Sequence, residues 1–303
     1  MKPILSVRDL ASRLGTTPSR LNEVASSIES HYVVVPLEAN GKIRILHVPR
    51  DELMQIQRGI KTSVLDKIGF AEVAHGGVRG RSPRTNAVQH LAQRCVVTVD
   101  VRGFFPSVRH YVVYRMFRHE LGFGRDVARL LTRLTTLKSR LPQGTPTSTA
   151  IANLLLATPV DAPLVRLAQQ QDVRYTRFVD DITMSGPNPR PLINVVARML
   201  SRRRLQMHRK KARWTTKAKL KIRSRGAPQE VTGLVVNSAR GPTISRTRRD
   251  AVRAAIYELK RLPERELAHA VQSVRGRISH VRQFNNEAAT RLQKYLDETL
   301  AIV

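Results

Sequence analysis

Two adjacent acids, Asp180 and Asp181, lie in the stretch Tyr175-Thr176-Arg177-Phe178-Val179-Asp180-Asp181-Ile182-Thr183-Met184-Ser185. Aromatic and β-branched residues on both sides of a polar pair read as a tight hairpin with the acids at its tip. Taken alone the pair is more simply a solvated turn, because Asp is a common turn residue. Buried side by side, two carboxylates repel and call for a cation. Magnesium suits that place, since one or two carboxylates and substrate phosphates commonly hold it. A third acid, Asp100, closes the apolar run Val96-Val97-Thr98-Val99, where packing gives no reason for a carboxylate. Three carboxylates from two strands can hold two Mg2+ ions about 3.5–4 Å apart, the clamp used for in-line phosphoryl transfer.

Other residues carry complementary chemistry. Lys42 and Arg44 alternate with Ile43 and Ile45, so both cations should share one face of a hairpin, either as its polar outer side or over a triphosphate. His75 to Pro83 is a glycine-rich basic loop in which Arg79 and Arg81 would neutralise phosphate. Its spacing fits neither a P-loop nor a dinucleotide fingerprint. Asn86 and His90 stand four apart and share a helix face. Gln143-Gly144 precedes a helix start at Thr145-Pro146, and Gly144 is placed to let a ligand approach the backbone. A dense cation run occupies 202–225 and includes Lys211, with the sole tryptophan, Trp214, inside it. Such a run is usually a solvated face and could equally line a phosphate path.

The 303 residues carry 53 Lys+Arg against 23 Asp+Glu, a formal charge of +30 spread along the whole chain. A folded chain this basic calls for a polyanion, and nucleic acid is the default. A membrane is not expected. The longest apolar run, from Ala150 to Ala168, is interrupted by Pro159, Asp161 and Pro163, and Arg8 and Asp9 fall where a secretory signal would be apolar. The single cysteine, Cys95, excludes an intrachain disulfide and a cysteine-rich zinc site. A reducing, cytoplasmic setting fits.

The positioning elements follow from periodicity. Two short helices are expected over 5–30, with Gly15 ending the first and Thr17-Pro18 starting the second. Residues 9–17 also match the first half of a helix-turn-helix, so a basic DNA-reading regulator is the alternative from another class. Strands are expected at 32–36 and 42–49, then a helix over 51–68 with Leu53, Ile56, Ile60, Val64 and Ile68 on one face. A buried strand ends at Asp100, helices follow near 111–120 and 127–137, a helix covers 150–157, and 231–237 reads as one short strand. The last 60 residues read as a helical bundle whose exposed positions are rich in arginine, among them Arg275, Arg277 and Arg282.

In their order, these stretches resemble the reverse transcriptases, and within them the bacterial retron branch. The likeness runs from about residue 30 to 300. It rests on Arg44 to Pro49, His75 to Ser82, Asp100 to Phe105, Gln143 to Pro146, Phe178 to Asp181 and Val231-Thr232-Gly233. Asn86-Ala87-Val88-Gln89-His90 and Val231-Thr232-Gly233 look like the two signatures peculiar to the retron branch. The chain departs from that branch at Val179, His208 and Ala212, where Ala, Asn and Thr are usual.

The resemblance implies an α+β right-hand polymerase. N-terminal helices and fingers would occupy 1–95, the palm with its antiparallel sheet 96–238 (with finger elements around 107–140), and a helical thumb 239–303. Asp100 and Asp180 would be the principal metal ligands, with the Val101 carbonyl and, less tightly, Asp181 beside them. Lys42, Arg44, Arg102, Gly103, Phe105, Gln143, Gly144 and Lys211 would line the nucleotide. Phe105 would exclude a 2′-hydroxyl, and Lys211 is a candidate acid for the leaving pyrophosphate. Arg79, Arg81, Asn86, His90, Arg275, Arg277 and Arg282 would contact RNA or DNA. The implied partners are dNTPs, a cognate structured non-coding RNA with its RNA–DNA product, and a separately encoded effector protein. The implied role is anti-phage defence, with DNA synthesis primed from an RNA 2′-hydroxyl. The alternative within the class is a defence-type reverse transcriptase without a branched RNA.

Overall fold

The computed structural model describes residues 2–39, 42–208 and 220–301. The chain opens with α1 (Val7–Arg13) and α2 (Pro18–Ser26). The Ser6 and Thr17 hydroxyls accept from the Asp9 and Arg20 amides, and Gly15 turns the chain at φ +65°. Leu10, Leu21 and Val24 enter the main core. Arg20, the single cation of α2, is paired with Glu23 and Glu52, so this helix offers no cationic face for DNA reading.

Strands β1 (Tyr32–Ala39) and β2 (Lys42–Pro49) form a projecting antiparallel hairpin, longer in its first strand than the sequence predicts. Ile43 and Ile45 on one face and Leu37 on the other are 70%, 49% and 46% exposed, so its outer half buries neither face. The base is fixed by the His47 amide, which donates to the Gln143 carbonyl at 2.7 Å. Next, α3 (Asp51–Gly59), a wide π-type turn and α4 (Asp66–Ile68) make the expected helix over 51–68. Short α5 (Pro83–Val88) follows the glycine-rich loop, capped reciprocally by Ser82 and Thr85.

Strand β3 (Cys95–Asp100) lies inside a four-stranded antiparallel sheet of order β4-β5-β3-β6, with β4 (Arg174–Phe178), β5 (Asp181–Gly186) and β6 (Lys221–Ser224). Between β3 and β4 run α6 (Phe104–Ser107), α7 (His110–Arg115), α8 (Arg125–Thr135), α9 (Ser148–Leu156) and α10 (Ala162–Gln170). After β5 comes α11 (Leu192–Arg202). Alternation separates two faces. Val97, Val99, Ile182 and Met184 face the helical core. Thr98, Asp100, Asp181 and Thr183 share the other, polar face.

Two sequence expectations need correction. The helix expected over 150–157 starts at Ser148 and runs on to Gln170, through Pro159 and Pro163. A π-type turn at 157–161 absorbs the first proline, and the second sits in the opening turn of α10. The helix is long and apolar enough to cross a membrane, but its buried Asn153 and Asp161 make it a core helix. The single strand expected over 231–237 is a small hairpin of β7 (Glu230–Val231) and β8 (Leu234–Val235). Thr232 and Gly233 both adopt positive φ, the signature of a two-residue primed turn.

Three C-terminal helices, α12 (Arg246–Glu258), α13 (Glu264–Arg282) and α14 (Asn286–Leu300), pack on one another. They build a second core around Val252, Ile256, Val274, Ile278 and Leu296. That core also takes Val231, Leu234, Val236, Ala87 and Val96.

Candidate active site

The β3–β5 ladder sets Asp100 directly opposite Asp181, and Asp180 occupies the turn between β4 and β5. Backbone bonds fix this end of the sheet. The Val101 amide donates to the Asp180 carbonyl at 3.3 Å, the Arg102 amide to the Gln206 carbonyl at 2.8 Å, and the His208 amide to the Asp100 carbonyl at 2.9 Å. His208 Nδ1 also stands 3.7 Å from Asp100 Oδ2. Three carboxylates therefore gather at one sheet end. Among the described residues, no His, Cys, Asp and Glu group forms a ready-made metal cage. The donor set fits a hard cation nonetheless, because magnesium is typically bound by one or two carboxylates and completed by water and substrate phosphates.

The other expected residues divide. Val101 is buried at the ladder's end, while Arg102 and Gly103 (φ +50°) are exposed just beyond it. Phe105 is half-buried, edge-on to Phe104 at 5.6 Å. Arg44 is exposed on β2, and Lys42 opens that strand opposite Ala39. Gln143 joins the hairpin base through its carbonyl. Gly144, at φ +96°, makes room for protein rather than ligand: an added Cβ would meet Leu46 Cβ at 3.1 Å. Lys211 lies outside the described residues.

Arg79, Arg275, Arg277 and Arg282 are exposed, as nucleic-acid contacts require. Three expected contacts are corrected. Arg81 turns inward, and its Nη1 donates to the carbonyls of Ala71, Glu72 and Ala74. Asn86 and His90 are fully buried. α5 ends at Val88, so His90 stands in the turn beyond it rather than on a helix face shared with Asn86, and its ring nitrogens meet Ser185 Oγ and Thr176 Oγ1 of the sheet, each at 2.7 Å. Burial, with Arg174 and His75 nearby, pushes the His90 pKa down to about 3, so the ring is neutral.

The sequence reading missed a buried group behind the acid turn. Arg177 faces the helical core, fully buried, and forms a bidentate pair with Asp161: Nη2–Oδ2 2.7 Å and Nε–Oδ1 3.0 Å. The Tyr175 hydroxyl donates to the same Asp161 Oδ1 at 2.6 Å, and its pKa is raised by burial and by that carboxylate. Asn153 accepts from Arg177 Nη1 and donates to the Gly76 carbonyl, each at 2.8 Å. A signal for the pair was present: two lone, opposite charges at buried-face positions of apolar segments.

The family profile described as "Reverse transcriptase (RNA-dependent DNA polymerase)" matches residues 36–237. The chain belongs to the reverse transcriptase family. Curated relatives place it with the retron type. It is 32% identical to the retron Mx65 reverse transcriptase of Myxococcus xanthus over 87% of this chain and 64% of that one. It is 28% identical to the retron Se72 reverse transcriptase of Salmonella heidelberg (strain 579083-10) over 99% and 81%. It is 24% identical to the retron Ec86 reverse transcriptase of Escherichia coli over 98% and 90%. The reverse transcriptase described here thus spans less than two thirds of the Mx65 enzyme's length. A telomerase from Candida albicans in complex with a fragment of telomeric RNA aligns over 93% of this chain and 62% of its own. Its TM-score is 0.43 at 11% identity, and a likeness that loose carries no argument.

Proposed function

We propose that this retron-type reverse transcriptase is an RNA-directed DNA polymerase that copies part of a cognate, structured non-coding RNA into single-stranded DNA. The observation that carries the reading is the register of the sheet, which sets Asp100 against Asp181 and Asp180 in the adjoining turn. Asp100, Asp180, Asp181 and the Val101 carbonyl would hold two Mg2+ ions. When bound, these ions supply charge neutralisation for the attacking and leaving oxygens of nucleotidyl transfer. The protein's own part is to position. Arg44, Arg102 and Lys42 would receive the triphosphate, and Phe105 would close the space a 2′-hydroxyl needs. The exposed arginines of α13 would hold the template–primer backbone.

The family likeness supports priming from an RNA 2′-hydroxyl and a defence role with a separately encoded effector. The experiment is to purify the full chain from its host and sequence the nucleic acid that comes with it. One defined RNA joined to complementary DNA is the expected result. Heterogeneous RNA without DNA would overturn the reading.

A further inference from the structure

Every N–H of the buried Arg177 guanidinium has an acceptor. Nε and Nη2 hold the Asp161 carboxylate, Nη2 also donates to the Asn153 carbonyl at 3.3 Å, and Nη1 donates to Asn153 Oδ1 and to the Val179 carbonyl, both at 2.8 Å. The last bond reaches the peptide that leads into Asp180. Val179 itself sits at φ +59°, a left-handed conformation that a β-branched residue adopts only when its surroundings impose it. Those surroundings are the Arg177 side chain on one side and the 73–77 loop on the other. That loop is tied to the same residue: the Arg177 amide donates to the Val73 carbonyl, and the His75 amide to the Arg177 carbonyl, both at 2.7 Å.

A buried ion pair is a poor device for stability, since an apolar pair of like volume often serves as well. Its geometry here is better explained by what it holds. We propose that Arg177, anchored by Asp161 and Asn153, is a positioning residue that locks the strained Val179–Asp180 peptide and so aims the Asp180 carboxylate at the metal ions. The inference rests on the reading of Asp100, Asp180 and Asp181 as metal ligands.

The test uses the full chain and two variants. Arg177→Lys keeps the charge opposite Asp161 but lacks the planar fork that reaches Val179. Arg177→Met/Asp161→Leu removes both charges together, which spares either partner an unpaired burial. The readouts are melting temperature, RNA affinity, dNTP incorporation, and backbone cleavage by Fe2+ with ascorbate, in which iron occupies the magnesium site and cuts nearby chain.

We expect folded variants with unchanged RNA affinity, weakened cleavage near residues 100 and 180, and incorporation reduced about tenfold or more. Folded variants with wild-type incorporation and cleavage would overturn the proposal. Failure of both variants to fold would also overturn it, assigning the network to stability. Asp180→Ala/Asp181→Ala is the control: if that chain still incorporates dNTPs, the polymerase reading fails, independently of Arg177.

Discussion

Gly76 offers a perturbation whose effect can be worked out from distances. It is buried, and its backbone is outside the left-handed region, so alanine is allowed there conformationally. The obstacle is space. An added Cβ would stand 2.5 Å from Val179 Cγ2, 2.7 Å from the Val179 nitrogen and 3.0 Å from the Phe178 carbonyl carbon. The Val179 side chain can swing away; its nitrogen cannot move without moving the turn that carries Asp180. Overpacking of this kind costs about 1–3 kcal/mol. If the strain is relieved by shifting the acid turn, the loss appears in the transition state, as a factor of about 5–150 in rate. The assay is dNTP incorporation by Gly76→Ala on a primed RNA template, with RNA affinity and melting temperature measured alongside. Gly226→Ala is the control, since nothing lies within 4 Å of its added Cβ. A Gly76→Ala enzyme with the wild-type rate would refute the claim that this loop sets the acid turn.

His90, held neutral with a pKa of about 3 against an ordinary 6.5, leaves the unfolded chain binding one more proton below pH 6.5. Its contribution is therefore complete above pH 6.5 and is lost as pH falls toward 3. Between pH 6.5 and 5 the loss is about 2 kcal/mol, and His90→Gln should flatten that part of a denaturation-against-pH profile. Replacing Arg275, Arg277 and Arg282 together by alanine should reduce the salt slope of RNA affinity by about 0.7–0.9 per lost phosphate contact; an unchanged slope would remove α13 from the interface. Phe105→Ala should lower discrimination against ribonucleotides by about tenfold or more in single-nucleotide incorporation, and retained discrimination would release Phe105 from the sugar.

What the sequence made legible was local. The helix start at Thr17-Pro18 was readable, and the Thr17 hydroxyl does accept the Arg20 amide, whereas the caps at Ser6, Ser245 and Asn285 emerged only from the structure. The acid hairpin was legible because β-branched flanks surround a polar pair. Asp100 stood out as a carboxylate ending an apolar strand. Their meeting depends on strand order and register, which sequence spacing does not encode. The same limit explains the errors on Asn86 and His90. The four-residue spacing is readable, but the helix stops at Val88, and whether the two side chains meet solvent or protein is decided by how this segment docks on the sheet. The 231–237 stretch looked like one strand because Val-Thr is β-prone, and only backbone geometry reveals the primed turn at Thr232-Gly233. Gly144 was read as space for a ligand, whereas a strand distant in sequence fills it. Arg177 passed unnoticed among many arginines, although among the described residues it is the one the fold buries completely.

The most direct test of the account is a single substitution in the strand that faces the acid turn. Asp100→Asn keeps the size and hydrogen-bonding reach of the side chain and removes one negative charge. Single-turnover dNTP incorporation, measured with the enzyme saturated by primed RNA and Mg2+ varied, is predicted to fall by about a thousandfold, with RNA affinity unaltered. Incorporation at the wild-type rate by this variant would contradict the claim that these acids, gathered by the sheet, hold the catalytic ions.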